Sequence, residues 1–241
     1  MRLPRALAAG TAGVTLTLLA GGGTAMAATP SAQPRTAQTS CSAASLAYIQ
    51  ARVDLAVSKR QLTIQQLTAA LARRSHVTGA HRSALSGLYT SDAAGLTAVD
   101  NTVHADTTCK QAVTDGRTVV TVYRVYMLLA PQTHLVAASD TGAYGAARLA
   151  AAEPKLQTGI DAITDPTKKA AAQAAFDDLV AQTKTAADDF AGVGDAMLAL
   201  TPPDMPGAQS SVTTERAKVQ SGRSALTTAL KDAKTITSLL A

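Results

Sequence analysis

Two cysteines, four histidines and a few clusters of carboxylates and tyrosines are the residues in this 241-residue chain whose types could carry chemistry. Cys41 and Cys109 are the only cysteines. In an exported chain an even count reads as one disulfide rather than two free thiols. The histidines are His76, His81, His104 and His134, and no two are four residues apart, the spacing at which one helix face offers two imidazoles to a metal ion. His76 and His81 flank a turn and read as solvated turn residues rather than a surface metal site. Asp177-Asp178 and Asp188-Asp189 stack about three helical turns apart. Paired carboxylates in a cleft suit acid–base work. These, however, lie opposite an apolar stripe, with Lys184 an i, i+4 partner of Asp188, so a solvated face is the better reading. The zinc-protease HExxH, the phosphate-cradling P-loop, GxSxG and Ser-x-x-Lys are all missing. The residues therefore assign no catalytic group, metal ligand or cofactor.

The densest polar-aromatic patch is Tyr123, Arg124, Tyr126 and His134, beside Pro131. One reading is a small-molecule or metal-binding pocket between helices. The other, which we prefer, has the tyrosines filling gaps that alanine leaves in a core, with hydroxyls at the rim. Charge is unevenly spread. The first helical segment carries Arg52, Lys59, Arg60, Arg73 and Arg74 against Asp54 alone, and Arg82 with His76 and His81 makes the nearby turn basic. The segment after Asp165 is net acidic, and the last, with Arg216, Lys218, Arg223, Lys231 and Lys234, is net basic. Either an acidic helix packs between two basic ones, or Arg73, Arg74 and Arg82 form a tip that touches anionic polymers.

The elements that must position these residues begin after a targeting segment. Arg2 and Arg5 precede an uncharged, largely apolar stretch over residues 6–20, three glycines follow, and Ala25-Met26-Ala27 puts small residues at a peptidase site. Residues 1–27 read as a cleavable signal peptide, and the apolar stretch is shorter than the ~20 residues of a membrane-spanning helix. Residues 28–40 (ATPSAQPRTAQTS) have almost nothing to bury and read as a flexible leader. Removing Arg2 and Arg5 lowers the formal net charge of +5 by two, too little to indicate a nucleic-acid partner. Two Phe, five Tyr and no Trp leave little with which to stack on bases or sugars.

Residues 41–241 read as one all-α domain. Leu46, Ile49, Val53, Val57, Ile64, Leu67 and Leu71 make an apolar face over residues 42–74, interrupted by Arg60. A glycine-containing turn follows at 75–80, then a second helix with Leu85, Leu88, Leu96, Val99 and Val103, Asp92 being the exception. Residue 75 is midway between Cys41 and Cys109, so an antiparallel hairpin about that turn brings the cysteines together. Residues 118–130 (TVVTVYRVYMLLA) fit an extended crossing segment or a buried helix, and both stay open. From Pro131 a helix runs through Leu135, Leu149, Leu156 and Ile160, with a kink expected at Pro154. Asp165-Pro166 starts another, with Phe176, Val180, Ala187, Phe190 and Met197 on one face. After the loop TPPDMP, Val212, Val219, Leu226, Ala233 and Leu240 recur every seven residues with Ile236 beside them, a coiled-coil-like seam weakened by Glu215 and Gly222.

At residues 123–134 (YRVYMLLAPQTH), and in the helix after TPPDMP, the chain resembles uncharacterised exported Ala-rich α-helical proteins of actinobacterial type. That resemblance implies a signal peptide, a hairpin of long helices and a basic C-terminal helix, and it implies no activity. In the relatives an aromatic follows the Pro-Asp of the loop, whereas here Met205 does. The expectation is an elongated antiparallel bundle of four to five long helices with one disulfide-stapled hairpin. Its leading function is that of a secreted, non-enzymatic interaction or structural protein of the envelope or extracellular space. The expected partner is an anionic envelope polymer or another secreted protein, with no transmembrane span after cleavage. The alternatives are a binding module around Tyr123 to His134, or an enzyme without a recognisable motif.

Overall fold

The apolar period of three and four residues becomes helix throughout the computed structural model, which describes residues 41–241. The signal peptide and leader lie outside the described residues. Five long helices carry the fold: α1 (Ala43–Ala72), α2 (Gly79–Ala105), α5 (Ala130–Asp161), α6 (Pro166–Phe190) and α8 (Gln209–Leu240). Three short ones, α3 (Cys109–Gly116), α4 (Thr118–Thr121) and α7 (Val193–Leu198), connect them. Among the described residues there is no strand, and no helix is long and apolar enough to cross a membrane.

Several helix starts are written in the sequence. Ser42 Oγ accepts the amide of Ser45 (3.0 Å), Thr78 Oγ1 that of His81 (3.2 Å), and Thr108 Oγ1 that of Gln111 (3.3 Å). Asp165 accepts from the amides of Thr167 and Lys168, with Pro166 in the first turn, where a missing N–H costs nothing.

α1 and α2 form the expected hairpin, burying Val53, Val57, Ile64, Leu67 and Leu71 against Leu85, Tyr89, Leu96 and Val103. Cys41 and Cys109 are bonded across its open end, with Cα atoms 5.5 Å apart. Cys109 lies in α3 rather than α2. From there α3 turns back, and Gly116 comes so close to α1 that a Cβ would sit 2.7 Å from Val53 Cγ2.

Of the two conformations left open for residues 118–130, the structure has helix. The single turn α4 is followed by a break at Tyr123-Arg124 and a π-helical turn, Val125–Leu129, that runs into α5. Pro131 lacks the N–H that would bond back one turn, and the wider π turn sits just before it. With Val125, Leu128 and Leu129 buried, the apolar run needs no strand partner. α5 continues through Pro154 to Asp161 as one helix.

The register of the remaining helices follows from close approaches. α6 runs antiparallel to α5 and α8: Gln157 pairs with Gln173, and the Phe190 ring lies against both Gly142 and Gly222. α5 and α8 are therefore parallel, with Gly145 beside Leu226 and Gly159 beside Leu240. α2 lies antiparallel to the stretch before and within early α5, as Tyr89 to Thr133 and His81 to Asp140 show. α5 thus serves two sub-assemblies, the hairpin on its first half and the α6–α8 pair along its length. One core cluster spans the hairpin, early α5 and the start of α8; a second holds Ile160, Ala172, Leu179, Ala229 and Ile236.

Two expected faces are corrected. The face drawn from Phe176 to Met197 is not one helix, because Ala191-Gly192 ends α6, with Gly192 at φ 71°, before α7 begins. Its buried stripe is Ala172, Leu179, Thr183, Ala186 and Phe190, and Ala187 is exposed. In α8 the seven-residue seam holds at Val212 and Val219, is half-buried at Leu226 and Ala233, and is exposed at Leu240. A straight helix drifts about 20° per heptad, so a strict seven-residue row rotates out of contact. Glu215 and Gly222 are buried in the seam: Gly222 leaves room for Phe190, and Glu215 Oε1 accepts from Lys218 Nζ at 2.9 Å while its Oε2 is buried without a partner.

Candidate functional site

α1 packs with one face only, so the residues diametrically opposite that face are presented to solvent. They form two adjacent rows at seven-residue spacing. The first is apolar: Tyr48, Leu55 and Leu62 are 63%, 56% and 54% exposed, and Ala69 follows. The second is Arg52, Lys59, Gln66 and Arg73, all exposed, with Arg74 beside it. Seven residues of helix advance about 10 Å, so Arg52 and Lys59 stand roughly that far apart and Arg73, beyond Gln66, about 20 Å further along α1. Arg52 leans over the Tyr48 ring, 5.9 Å from its centroid. Exposed apolar side chains scattered singly need no explanation, whereas an ordered row beside a basic one does.

The five salt bridges among the described residues are His81–Asp140, His81–Asp195, His104–Asp54, Lys184–Asp188 and Lys218–Glu215. None involves an arginine or lysine of the hairpin. The acidic α6 packs in the trio with α5 and α8, while α1 packs on α2, α3, α4, the π turn and α5. The basic side chains of α1 therefore have no acidic helix against them. Arg60 is the inward exception: it donates to Ala56 O and stands 5.1 Å over the Tyr126 ring.

At the hairpin tip the expected trio divides. Arg73 and Arg74 are exposed. Arg82 turns inward and donates to the carbonyls of Leu71, at 2.7 Å, and Arg74, occupying acceptors that the end of α1 leaves open. His76 stacks on Tyr144 of α5, ring centroids 3.8 Å apart. His81 is not the solvated turn residue expected: it sits between two carboxylates. Nδ1 lies 2.9 Å from Asp140 and Nε2 3.2 Å from Asp195, and the buried Asp140 also accepts the Thr78 amide at 2.8 Å. Burial pulls the His81 pKa down, but the hydrogen bonds and charges of the two aspartates outweigh it and raise the pKa above 6.5. The two acids approach opposite ring nitrogens, so this is a bolt joining α2, α5 and α7, and its ligands do not converge on an ion.

Tyr123, Arg124, Tyr126 and His134 do not line one cavity. Tyr123 packs its ring and hydroxyl on Gly95 of α2, where a Cβ would overlap it. Arg124 donates Nε to Thr121 O and borders a cavity of about 100 Å³ with Asp92, Leu88, Leu128 and Gln132. Burial pushes the Asp92 carboxyl above its usual range. Tyr126, 50% exposed, lines a different groove with Pro131, Met205 and Arg216, and His134 faces solvent. Asp177, Asp178 and Asp188 are exposed, and Lys184 Nζ is 2.6 Å from Asp188.

Two arrangements lie outside the patterns that mark buried faces and histidine pairs. The apolar row of α1 runs opposite its buried stripe, and Asp100 and His104 make a carboxylate–imidazole pair, not a histidine pair, at i, i+4 spacing, facing Asp54 of α1. No protein-family model matches this chain, and neither a curated protein nor a solved structure matches it.

Proposed function

We propose that this chain is an exported, non-catalytic interaction protein of the cell envelope or extracellular space, and that the outward face of α1 docks an anionic envelope polymer. The observation that carries this is the row Arg52, Lys59, Arg73 and Arg74, exposed and without a salt-bridge partner among the described residues. Intramolecular charge complementarity would have placed the acidic α6 against α1; α6 packs elsewhere. Neighbouring Tyr48, Leu55 and Leu62 would cover the aliphatic portions of a polymer whose charges meet the cations. Export is supported by the basic, apolar and small-residue order of residues 1–27 and by the disulfide, which persists in oxidising compartments. The disulfide at its open end and its packing along α2 hold α1 in place, and its cations extend over about 30 Å, a reach that favours an extended polyanion over a single small ion.

The test is retention on immobilised polyphosphate across a salt series. Counterion release makes affinity fall with salt, with a slope set by the number of phosphates neutralised. Arg52→Gln/Lys59→Gln/Arg73→Gln should elute at clearly lower salt, with helicity unchanged. The charge-matched control Arg223→Gln/Lys231→Gln/Lys234→Gln on α8 should elute close to the unsubstituted chain. Equal loss in both variants would reduce the effect to net charge and remove α1 as the docking face.

A further inference from the structure

Near the open end of the hairpin, three side chains with metal-ligating atoms converge from two helices. Asp100 and His104 stand one turn apart on α2, and Asp54 faces them from α1. His104 Nε2 is 2.7 Å from Asp54 Oδ1, and one ligand atom from each of the three lies within 4.8 Å of the others. The backbone beneath is held: Gln50 Nε2 on α1 donates to the carbonyl of Val103 at 3.1 Å and reaches that of His104 at 3.4 Å. Asp100 Oδ1 is buried and has no hydrogen-bond partner. A buried, unsatisfied carboxylate oxygen is costly, and it is the kind of atom a cation satisfies.

A carboxylate oxygen of Asp54 and one of Asp100 lie within 4.8 Å of each other, so two like charges share the site. His104 and Asp54 are about half exposed (49% and 44%), so water can complete a coordination shell.

We propose that Asp54, Asp100 and His104 form a divalent transition-metal site, Zn²⁺ being its type ion, that clips α1 to α2. The donor set decides the class of ion. An imidazole nitrogen with two carboxylate oxygens suits Zn²⁺ and its neighbours, whereas Ca²⁺ and Mg²⁺ take all-oxygen shells of six or more ligands. Metal–ligand distances of about 2.0–2.2 Å separate tetrahedral donors by roughly 3.4 Å, within reach of small side-chain rotations from the spacing seen. Binding releases any proton held between the two carboxyls or on the imidazole, because each ligand coordinates in its deprotonated form. The site lies on the flank of α1 away from Arg52 and Lys59, so it is independent of the proposed docking face.

The test is calorimetric titration of the untagged, disulfide-bonded, chelator-treated chain with ZnCl₂ at pH 7, in two buffers of different ionisation enthalpy. One equivalent should bind with micromolar affinity and with proton release, and Zn²⁺ should raise the thermal midpoint. MgCl₂ and CaCl₂ should bind at least tenfold more weakly. His104→Gln and Asp54→Asn should each weaken Zn²⁺ at least tenfold, and the exposed-histidine control His134→Gln should not. Asp100→Asn removes the carboxyl repulsion, so it should fold at least as stably without metal and still lose Zn²⁺. That variant separates lost ligation from lost structure. No saturable binding, equal binding by His104→Gln, or loss in His134→Gln to the same extent would overturn the site.

Discussion

Asp140→Asn removes one charge from the bolt that holds the hairpin tip to the bundle and leaves its shape nearly unchanged. In the folded chain the buried carboxylate accepts the Thr78 amide at 2.8 Å and faces His81 Nδ1 at 2.9 Å. Hydrogen bonds to a charged group contribute about 1.5–3 kcal/mol, neutral ones about 1. The Thr78 bond becomes neutral and protonated His81 loses its counter-ion, which together should lower stability by about 1–3 kcal/mol at pH 6. The pH dependence is the sharper readout. The folded His81 pKa is raised, so its stabilisation is fully present below the unfolded value of about 6.5 and is lost as pH rises through the folded value. One proton linked to folding gives a slope of at most about 1.4 kcal/mol per pH unit. Urea denaturation followed by far-UV circular dichroism from pH 5.5 to 8.5 should show the unsubstituted chain losing stability above pH 6.5 and Asp140→Asn losing clearly less. The other histidines and the raised carboxyls of Asp100 and Asp232 are common to both proteins and cancel in the difference. Parallel curves would refute the bolt.

Removing the disulfide with Cys41→Ser/Cys109→Ser frees a closed loop with a sequence separation of 68 residues and should cost about 4 kcal/mol in the urea experiment without changing helicity. Phe190→Ala empties the space between Gly142 and Gly222 and should cost about 3–5 kcal/mol. Gly142→Ala should destabilise the unsubstituted chain but much less so the Phe190→Ala background; purely additive losses would place the ring elsewhere. At the tip, Arg82→Gln should cost about 1–2 kcal/mol by uncovering the carbonyls of Leu71 and Arg74. Arg73→Gln, exposed and without such bonds, should stay within about 0.5 kcal/mol of the unsubstituted chain.

The sequence by itself determined the elements whose signals are local. The cap at Asp165, the turn near Ser75 and the apolar stripes of α1 and α2 depend on residues within a few positions of one another. The disulfide was legible too, because a single turn midway between two cysteines makes a long-range contact into a consequence of local geometry. What the tertiary structure decided is what depends on partners distant in sequence. Residues 118–130 carry no periodicity, and helix prevails because Val125, Leu128 and Leu129 are covered from neighbouring elements. Gly142 and Gly222 read as weak points in helices until Phe190 arrives between them. The four residues Tyr123, Arg124, Tyr126 and His134 are close in sequence, yet the break at Tyr123-Arg124 and the π turn point them in different directions. Asp54, Asp100 and His104 show the converse: they are up to 50 residues apart and meet only because the hairpin closes. Charge follows the same rule. Composition marks α1 as basic, but only the packing of α6 away from it leaves those cations facing solvent.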